Sequence, residues 1–360
     1  MLAARGLRKA NIPASLIQDP SPGSLQPTRL ALHVNGNGCG TSCSVYVASG
    51  CRVYRFEIST EGACPAEGKD SLIVPVQTQI MQSHAVDRCP HHSEIQSIAL
   101  AEGDSDSCLM LGTVDCYGQL IVSGLDATDA DINRRSYSIS PRGYGVGEGS
   151  WAGVCFSPSN SSTVAIVHSF CKSIDIYDQD IHLQSFQTLW YPNSSTFLQG
   201  SLLGCGSSVL AVAEGSQLTI WDLRTGGGCV QRVCGSVGDL IYAISCSPSG
   251  HVAVGGSDRC LTIYDPRRWS ALARWASCSK YEITGLSFSS LNSDYMYVQG
   301  VDYEVFCGQW RENKKVFSFR GDSNWLGFSK DSKRDVLAGW CDSGSIFVAD
   351  AVAAKQLEIW

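Results

Sequence analysis

Charge is scarce in this sequence. Asp, Glu, Lys and Arg make up 17% of its residues, against an average of about 25%. Few charges leave little material for long solvent-facing helices, which argues for short strands and tight turns. Long apolar runs are missing too. No stretch approaches the roughly 18 apolar residues that a membrane helix needs, so a spanning helix is excluded. The first residues carry Arg5, Arg8 and Lys9 and no acid, yet lack the apolar centre of a secretory signal. A nuclear and/or cytoplasmic protein is expected, with no membrane partner. The sequons at Asn160 and Asn193 are then expected to stay unmodified.

Motifs that would carry catalysis are absent as well. The segment Gly62 to Asp70 has five residues between its glycines where a phosphate loop needs four, and Asp70 stands where magnesium needs Ser or Thr. Pro65 also removes one of the backbone N–H groups that would cradle a phosphate. Gly143, Gly145, Gly147 and Gly149 alternate, but Glu148 occupies the third glycine of a dinucleotide fingerprint. No Gly-x-Ser-x-Gly elbow occurs. The chain is therefore expected not to be an enzyme, and no cofactor is implied.

Glycine and cysteine are plentiful, at 36 and 17 residues. An odd cysteine count leaves at least one thiol unpaired within the chain. A chain of this length buries a core without disulfide staples. No Cys-x-x-Cys pair exists, so structural zinc lacks its usual spacing. His84, Cys89, His91 and His92 form the only local cluster of ligand-type residues. The reading preferred here is a polar loop without metal, in which His92 reaches Asp115. Cys155, Cys246, Cys260 and Cys307 fall at apolar strand positions and read as small packing residues.

A repeat then organises the chain. Ile174-Asp175-Ile176-Tyr177-Asp178, Leu218-Thr219-Ile220-Trp221-Asp222, Leu261-Thr262-Ile263-Tyr264-Asp265, Val305 to Trp310 and Ile346 to Asp350 recur at steps of 44, 43, 44 and 41. Weaker copies at Val53 to Phe56 and Leu120 to Ser123 make seven. Each copy follows an apolar strand, a polar turn such as Ser157-Pro158-Ser159-Asn160, and a second strand ending in small residues. Runs this short that alternate apolar and polar are strands. A sandwich of the same strands would not impose a period near 43 residues. The expected fold is all-β, a seven-bladed β-propeller of four-stranded antiparallel blades.

The literal Trp221-Asp222 ending resembles the WD40-repeat (β-transducin-type) family over residues 27–360. No repeat opens on the Gly-His dipeptide usual there, which implies that the family's buried Asp–His network is mostly lost. Turn aspartates remain at Asp115, Asp258, Asp302 and Asp342. Residues 1–26 are expected to be a tail or a closing strand, with Lys355 to Trp360 the competing outer strand.

Two features point to partners. Trp221-Asp222-Leu223-Arg224 and Tyr264-Asp265-Pro266-Arg267 each place an arginine two residues past an aromatic–acid pair. In the WD40 family such an ending is similar to the box of substrate receptors that dock on the propeller adaptor of cullin-4 ubiquitin ligases. A guanidinium at a blade edge suits bidentate bonds to carboxylates or carbonyls. The second copy matches better upstream, through Gly255, Gly256 and Asp258; the first has Gly215 where an acid is usual. From Arg259 to Arg334, 12 Lys or Arg face 8 Asp or Glu, leaving −11 for the rest of a chain of net charge −7. Arg311, Lys314, Lys315, Arg320, Lys330, Lys333 and Arg334 form a candidate patch for nucleic acid or an acidic partner. The function expected is a non-enzymatic scaffold in a multiprotein complex, in its most concrete form a cullin-4 substrate receptor. The alternative is an RNA- or chromatin-associated subunit that uses the patch.

Overall fold

Alternating side chains on runs of five to eight residues dictate strands, and small turn residues fold each strand back on the last. The computed structural model describes residues 1–18, 24–35, 42–62, 66–68, 71–87, 89–103, 108–126, 136–140, 150–199, 208–226, 228–235 and 238–354. Seven antiparallel sheets follow one another in chain order. Blade one is Leu30–Asn35, Ser42–Ser49, Arg52–Ser59 and Ile80–Val86; blade two is Ile95–Glu102, Cys108–Asp115, Leu120–Asp126 and Ser136–Ile139. Blade three is Ala152–Phe156, Thr163–His168, Ser173–Asp178 and Ile181–Gln187; blade four is Pro192–Phe197, Val209–Glu214, Gln217–Asp222 and Cys229–Cys234. Blade five is Ile241–Cys246, Val252–Gly256, Leu261–Asp265 and Ser270–Trp275; blade six is Ile283–Phe288, Tyr295–Gly300, Glu304–Gln309 and Lys314–Arg320. Blade seven takes Trp325–Lys330, Val336–Cys341 and Ser345–Ala353, and its fourth strand is Leu2–Asn11 from the other end of the chain. The seven-bladed propeller expected from the period is the fold observed.

The first strands of successive blades stand against one another around a central channel. Seven hydrophobic clusters fill the seven seams between neighbouring blades, one cluster to a seam. A repeat that buries its faces only against its neighbours needs the ring to be complete. Closure is therefore where the fold is most exposed to failure. Leu2 to Asn11 pairs antiparallel with Ala353 to Ser345, tying both ends of the described chain into one sheet.

A second tie reinforces the first. The connection between the third and fourth strands of blade one runs outward as a small hairpin, Ala66–Glu67 against Ile73–Val74. It then lays Val76–Gln77 parallel to Arg8–Lys9 as a fifth strand on blade seven. Leu72 bridges to Ser318 on blade six, and Ile73 is buried in the seam between blades six and seven. The segment holding the imperfect phosphate-loop pattern thus ends in a clasp across three blades. Lys355 to Trp360, the competing outer strand, lie outside the described residues.

Turns after the first and third strands share one face of the disc, here the lower face. Turns after the second strand and the links between blades form the upper face. Gln26–Arg29 crosses the upper end of the channel: the Phe328 amide donates to the Pro27 carbonyl, Trp151 Nε1 to Thr28 Oγ1 at 3.1 Å, and Thr28 Oγ1 to the Gln96 carbonyl at 2.7 Å. Below this plug the channel holds a cavity of about 970 Å³ opening among the lower turns.

Candidate interaction face

The third strands carry the repeated aromatic–acid endings, and a register shift falls at the same place in successive blades. It lies between Ile220 and Trp221, between Ile263 and Tyr264, and between Cys307 and Gly308. Such bulges bend a strand and re-aim its side chains. Each third strand consequently delivers its last residues into a turn on the lower face.

In blade four Trp221 is buried against Phe186 of blade three, with ring centroids 5.3 Å apart. Its Nε1 donates to Thr219 Oγ1 at 3.0 Å, and that hydroxyl donates to the Val212 carbonyl at 3.2 Å. Asp222 Oδ1 accepts the Arg224 amide at 3.0 Å and Arg224 Nε at 2.9 Å; Oδ2 accepts Nη2 at 2.6 Å. Arg224 therefore closes a bidentate chelate on its own turn, and its hydrogen bonds hold the Asp222 carboxyl below the usual carboxylate range.

Blade five repeats the turn with a different ending. Asp265 Oδ1 accepts the Arg267 amide at 3.0 Å, and the Asp265 carbonyl accepts the Trp269 amide at 2.7 Å. Pro266 is buried and fixes the backbone, while Arg267 is exposed. Its guanidinium makes no ion pair among the described residues. Two neighbouring arginines on equivalent turns thus differ in whether their charge is already spent.

Blade six supplies a third arginine that the Trp-Asp pattern does not reveal, because Gln309-Trp310-Arg311 lacks the acid. Trp310 is buried and donates from Nε1 to the Ser293 carbonyl at 2.8 Å. The Arg311 guanidinium lies 4.2 Å from the Trp310 ring centre, and its Nε is 2.7 Å from Asp294 Oδ1. His251 fills the space between blades five and six, edge-on to Trp310 at 6.0 Å. Burial lowers its pKa, with Arg311 and Arg267 adding to the effect and Asp265 and Asp294 opposing it. Arg267 and Arg311 therefore act on one imidazole from two blades. In sequence Arg311 is marked only by its place in the basic stretch and by the tryptophan just before it.

The wider basic patch does not come together. The Lys330 side chain is only 7% exposed, its Nζ 2.7 Å from the Asp331 carbonyl, 3.1 Å from the Arg334 carbonyl and 3.5 Å from Asp335 Oδ1. It joins the turns of blades six and seven from inside. Lys333, exposed, pairs with Glu102 of blade two at 2.7 Å across the channel mouth, next to Arg334. Lys315 lies over the Phe306 ring at 4.1 Å and 3.7 Å from Glu304. Arg320 ends the strand that Lys314 begins, about 20 Å away at 3.3 Å per residue. Blades two and three carry the opposite sign on the lower face, at Glu102, Asp178 and Asp180.

The ligand-type cluster near residue 90 is likewise dispersed. Exposed His84 lies on the outer strand of blade one, and the buried Cys89 thiol is 3.8 Å from Ser123 Oγ. His91, not His92, is the blade-opening histidine. Its Nδ1 is 3.2 Å from Asp115 Oδ2 and its Nε2 2.7 Å from Thr113 Oγ1, both buried; His92 is exposed. Asp115 Oδ1 also accepts the Tyr117 and Gln119 amides. Burial would raise the Asp115 carboxyl, but His91 and the turn amide outweigh it and the pKa is lowered. Blade two therefore holds one buried Asp–His network. Among the described residues no group of three or more His, Cys, Asp or Glu is arranged to hold a metal ion.

The fourteen described cysteines are free thiols. Burial pushes Cys43, Cys155, Cys278 and Cys341 up to about 12 and Cys246 to about 11. They stay protonated and pack as small apolar groups. Cys155 and Cys246 lie on first strands, whereas Cys307 lies on a third strand and Cys260 just before one.

No protein-family model matches the chain, and no curated protein matches it. The seven four-stranded blades, with the His91–Asp115 network in blade two, are consistent with the WD40 fold.

Proposed function

We propose that this propeller is a non-enzymatic protein-interaction scaffold whose lower face on blades four to six docks an acidic surface of a partner. Propellers present rigid turns on two faces of a disc, which suits the recognition of other proteins. The observation that carries the reading is the pair of turns at Arg267 and Arg311. They set an unpaired guanidinium, on a turn capped by Asp265, beside one stacked on a buried tryptophan and paired with Asp294, both on strands bent by a bulge. An arginine held this way loses little freedom when it meets a carboxylate. In its most specific form the partner is the propeller adaptor of a cullin-4 ubiquitin ligase, and the chain is a substrate receptor in the nucleus or cytoplasm.

Binding of the full chain to the purified adaptor tests this reading. Arg267→Ala is expected to weaken binding at least tenfold, since truncating one partner of a desolvated charge pair costs about 2–5 kcal/mol. Unchanged binding in an Arg224→Ala, Arg267→Ala double variant overturns the adaptor assignment. The nucleic-acid alternative has less support, because Lys330 is internal, Arg320 stands apart, and Lys333 already faces a carboxylate. It requires RNA or DNA affinity that falls steeply with salt and drops on neutralising Lys314, Lys315, Lys333 and Arg334.

A further inference from the structure

The upper face carries a second surface with different chemistry. Tyr117 of the blade-two turn, Phe170 of the blade-three turn, and Leu189, Trp190 and Tyr191 of the link into blade four are each 50–60% exposed. They form one patch. A Cβ at Gly118 would meet the His168 ring at 2.6 Å, so the Tyr117 turn lies flat against the residue that leads into Phe170. Lys172, from the Phe170 turn, places its ammonium 4.6 Å from the Tyr191 ring centre. Five side chains of this size, half exposed, present roughly 500 Å², at the size where exposed apolar patches on monomers tend to be functional.

The display is built rather than incidental. Glu214 is fully buried and spends one oxygen on the backbone amides of Leu189 and Trp190, at 2.7 and 3.1 Å. Its other oxygen pairs with Arg232 at 3.0 Å. Gly215, at φ +59°, lets the next turn pass under Trp190, where a Cβ would stand 3.2 Å from the Trp190 Cβ. A buried carboxylate thus holds three large side chains in solvent on a fixed backbone. Rigid aromatics of this kind contribute contact area at low entropic cost.

The area also limits the occupant. A stable partner of standard size needs about 800 Å² per side, more than the patch offers, so a second copy of the chain is a poor fit. The channel plug at Gln26–Arg29 keeps this surface separate from the central cavity. The exposed aromatic side chains suit the apolar pyrrolidine rings of proline. The Trp190 Nε1–H and the Tyr117 and Tyr191 hydroxyls make no hydrogen bond among the described residues, leaving donors for proline carbonyls. Nearby carboxylates are already engaged: Asp175 by His168 and Ser185, Glu214 by Arg232. Lys172, over the Tyr191 ring, makes no ion pair among the described residues, whereas Arg232 is held by Glu214. We propose that the aromatic patch of blades two to four binds an extended proline-rich peptide of a partner protein, with an acidic residue of that peptide meeting Lys172. Such peptides are preformed polyproline II helices recognised on aromatic surfaces.

The proposal is independent of the arginine face and is tested apart from it. Two probes suffice, an acetylated decaproline and the same peptide carrying one glutamate, titrated into the full chain by calorimetry. Both are expected to bind, the glutamate peptide more tightly. Trp190→Ala is expected to weaken both at least tenfold. Lys172→Met is expected to remove only the preference for glutamate, and Arg267→Ala to change neither. Tyr117→Ala, on another blade, guards against a local folding defect and is expected to weaken both probes about threefold. Absence of binding at millimolar peptide, or binding indifferent to Trp190→Ala, overturns the proposal. So does a concentration-dependent dimer in sedimentation that Trp190→Ala abolishes, which would make a second copy the occupant.

Discussion

Blades four and five carry the same turn and put it to different ends. Both third strands shift register one residue before the aromatic, both carboxylates cap the arginine amide, and both arginines emerge on the lower face. In blade four the chelate at Asp222 absorbs the guanidinium; in blade five a buried proline occupies the intervening position and the guanidinium stands free. A shared motif is therefore not a shared site. What distinguishes the copies is whether the local carboxylate already satisfies the charge, since a partner must first break any bond that exists.

The anchors of the two turns differ as well, and this gives the largest effect expected. Trp221 is buried in the seam with blade three, while Tyr264 is only partly buried. Trp221→Ala should cost about 3–5 kcal/mol, the usual range for a buried aromatic truncated to alanine. Tyr264→Ala should cost less than half of that. Urea unfolding of the two variants compares them directly, and equal losses would mean that the blade-five anchor is the better packed of the pair.

Next comes the binding contrast. If the free guanidinium is what matters, Arg267→Ala should weaken adaptor binding at least tenfold and Arg224→Ala less than threefold. Asp222→Asn sharpens the comparison: it keeps a cap for the Arg224 amide and removes the charge that holds the side chain. Its expected outcome is affinity equal to or up to about threefold above the parent, read by surface plasmon resonance. A loss matching that of Arg267→Ala would show that the chelate itself, rather than a free arginine, is what the partner reads.

This contrast marks where sequence reasoning stops. The period near 43 residues, the strand alternation and the turn residues were legible because each blade is a local unit with its own hydrophobic stripe. The sequence points to His92 as the blade-opening histidine, one residue past His91, which holds that place. Adjacent histidines look alike until a three-dimensional turn decides which one faces Asp115 and Thr113. In the sequence Lys330 looks like surface charge, because its neighbours Ser290 and Asp335 come from two different blades. In the sequence Arg311 falls into a general basic patch because its turn lacks the acid, although its position after the register shift matches Arg224 and Arg267. The aromatic patch was invisible for a related reason. Tyr117, Phe170 and Trp190 are far apart in the chain, and each alone is an ordinary turn residue.

The smallest effect probes the chelate without a partner. Arg224 holds the Asp222 carboxyl below its unfolded pKa, and a group depressed by folding stabilises the native state above its unfolded pKa. That stabilisation disappears as pH falls through the folded value. In the parent, Asp222 should therefore stay ionised to lower pH than a free aspartate, about 3.9, as followed by carbon NMR of the side-chain carboxyl. In Arg224→Ala the titration should move upward, because the guanidinium is the largest cause of the lowering. The turn amide continues to donate to Oδ1, so part of the depression should survive. A midpoint that does not move would mean that the guanidinium is free in solution, and blades four and five would then offer a partner two equivalent arginines instead of one.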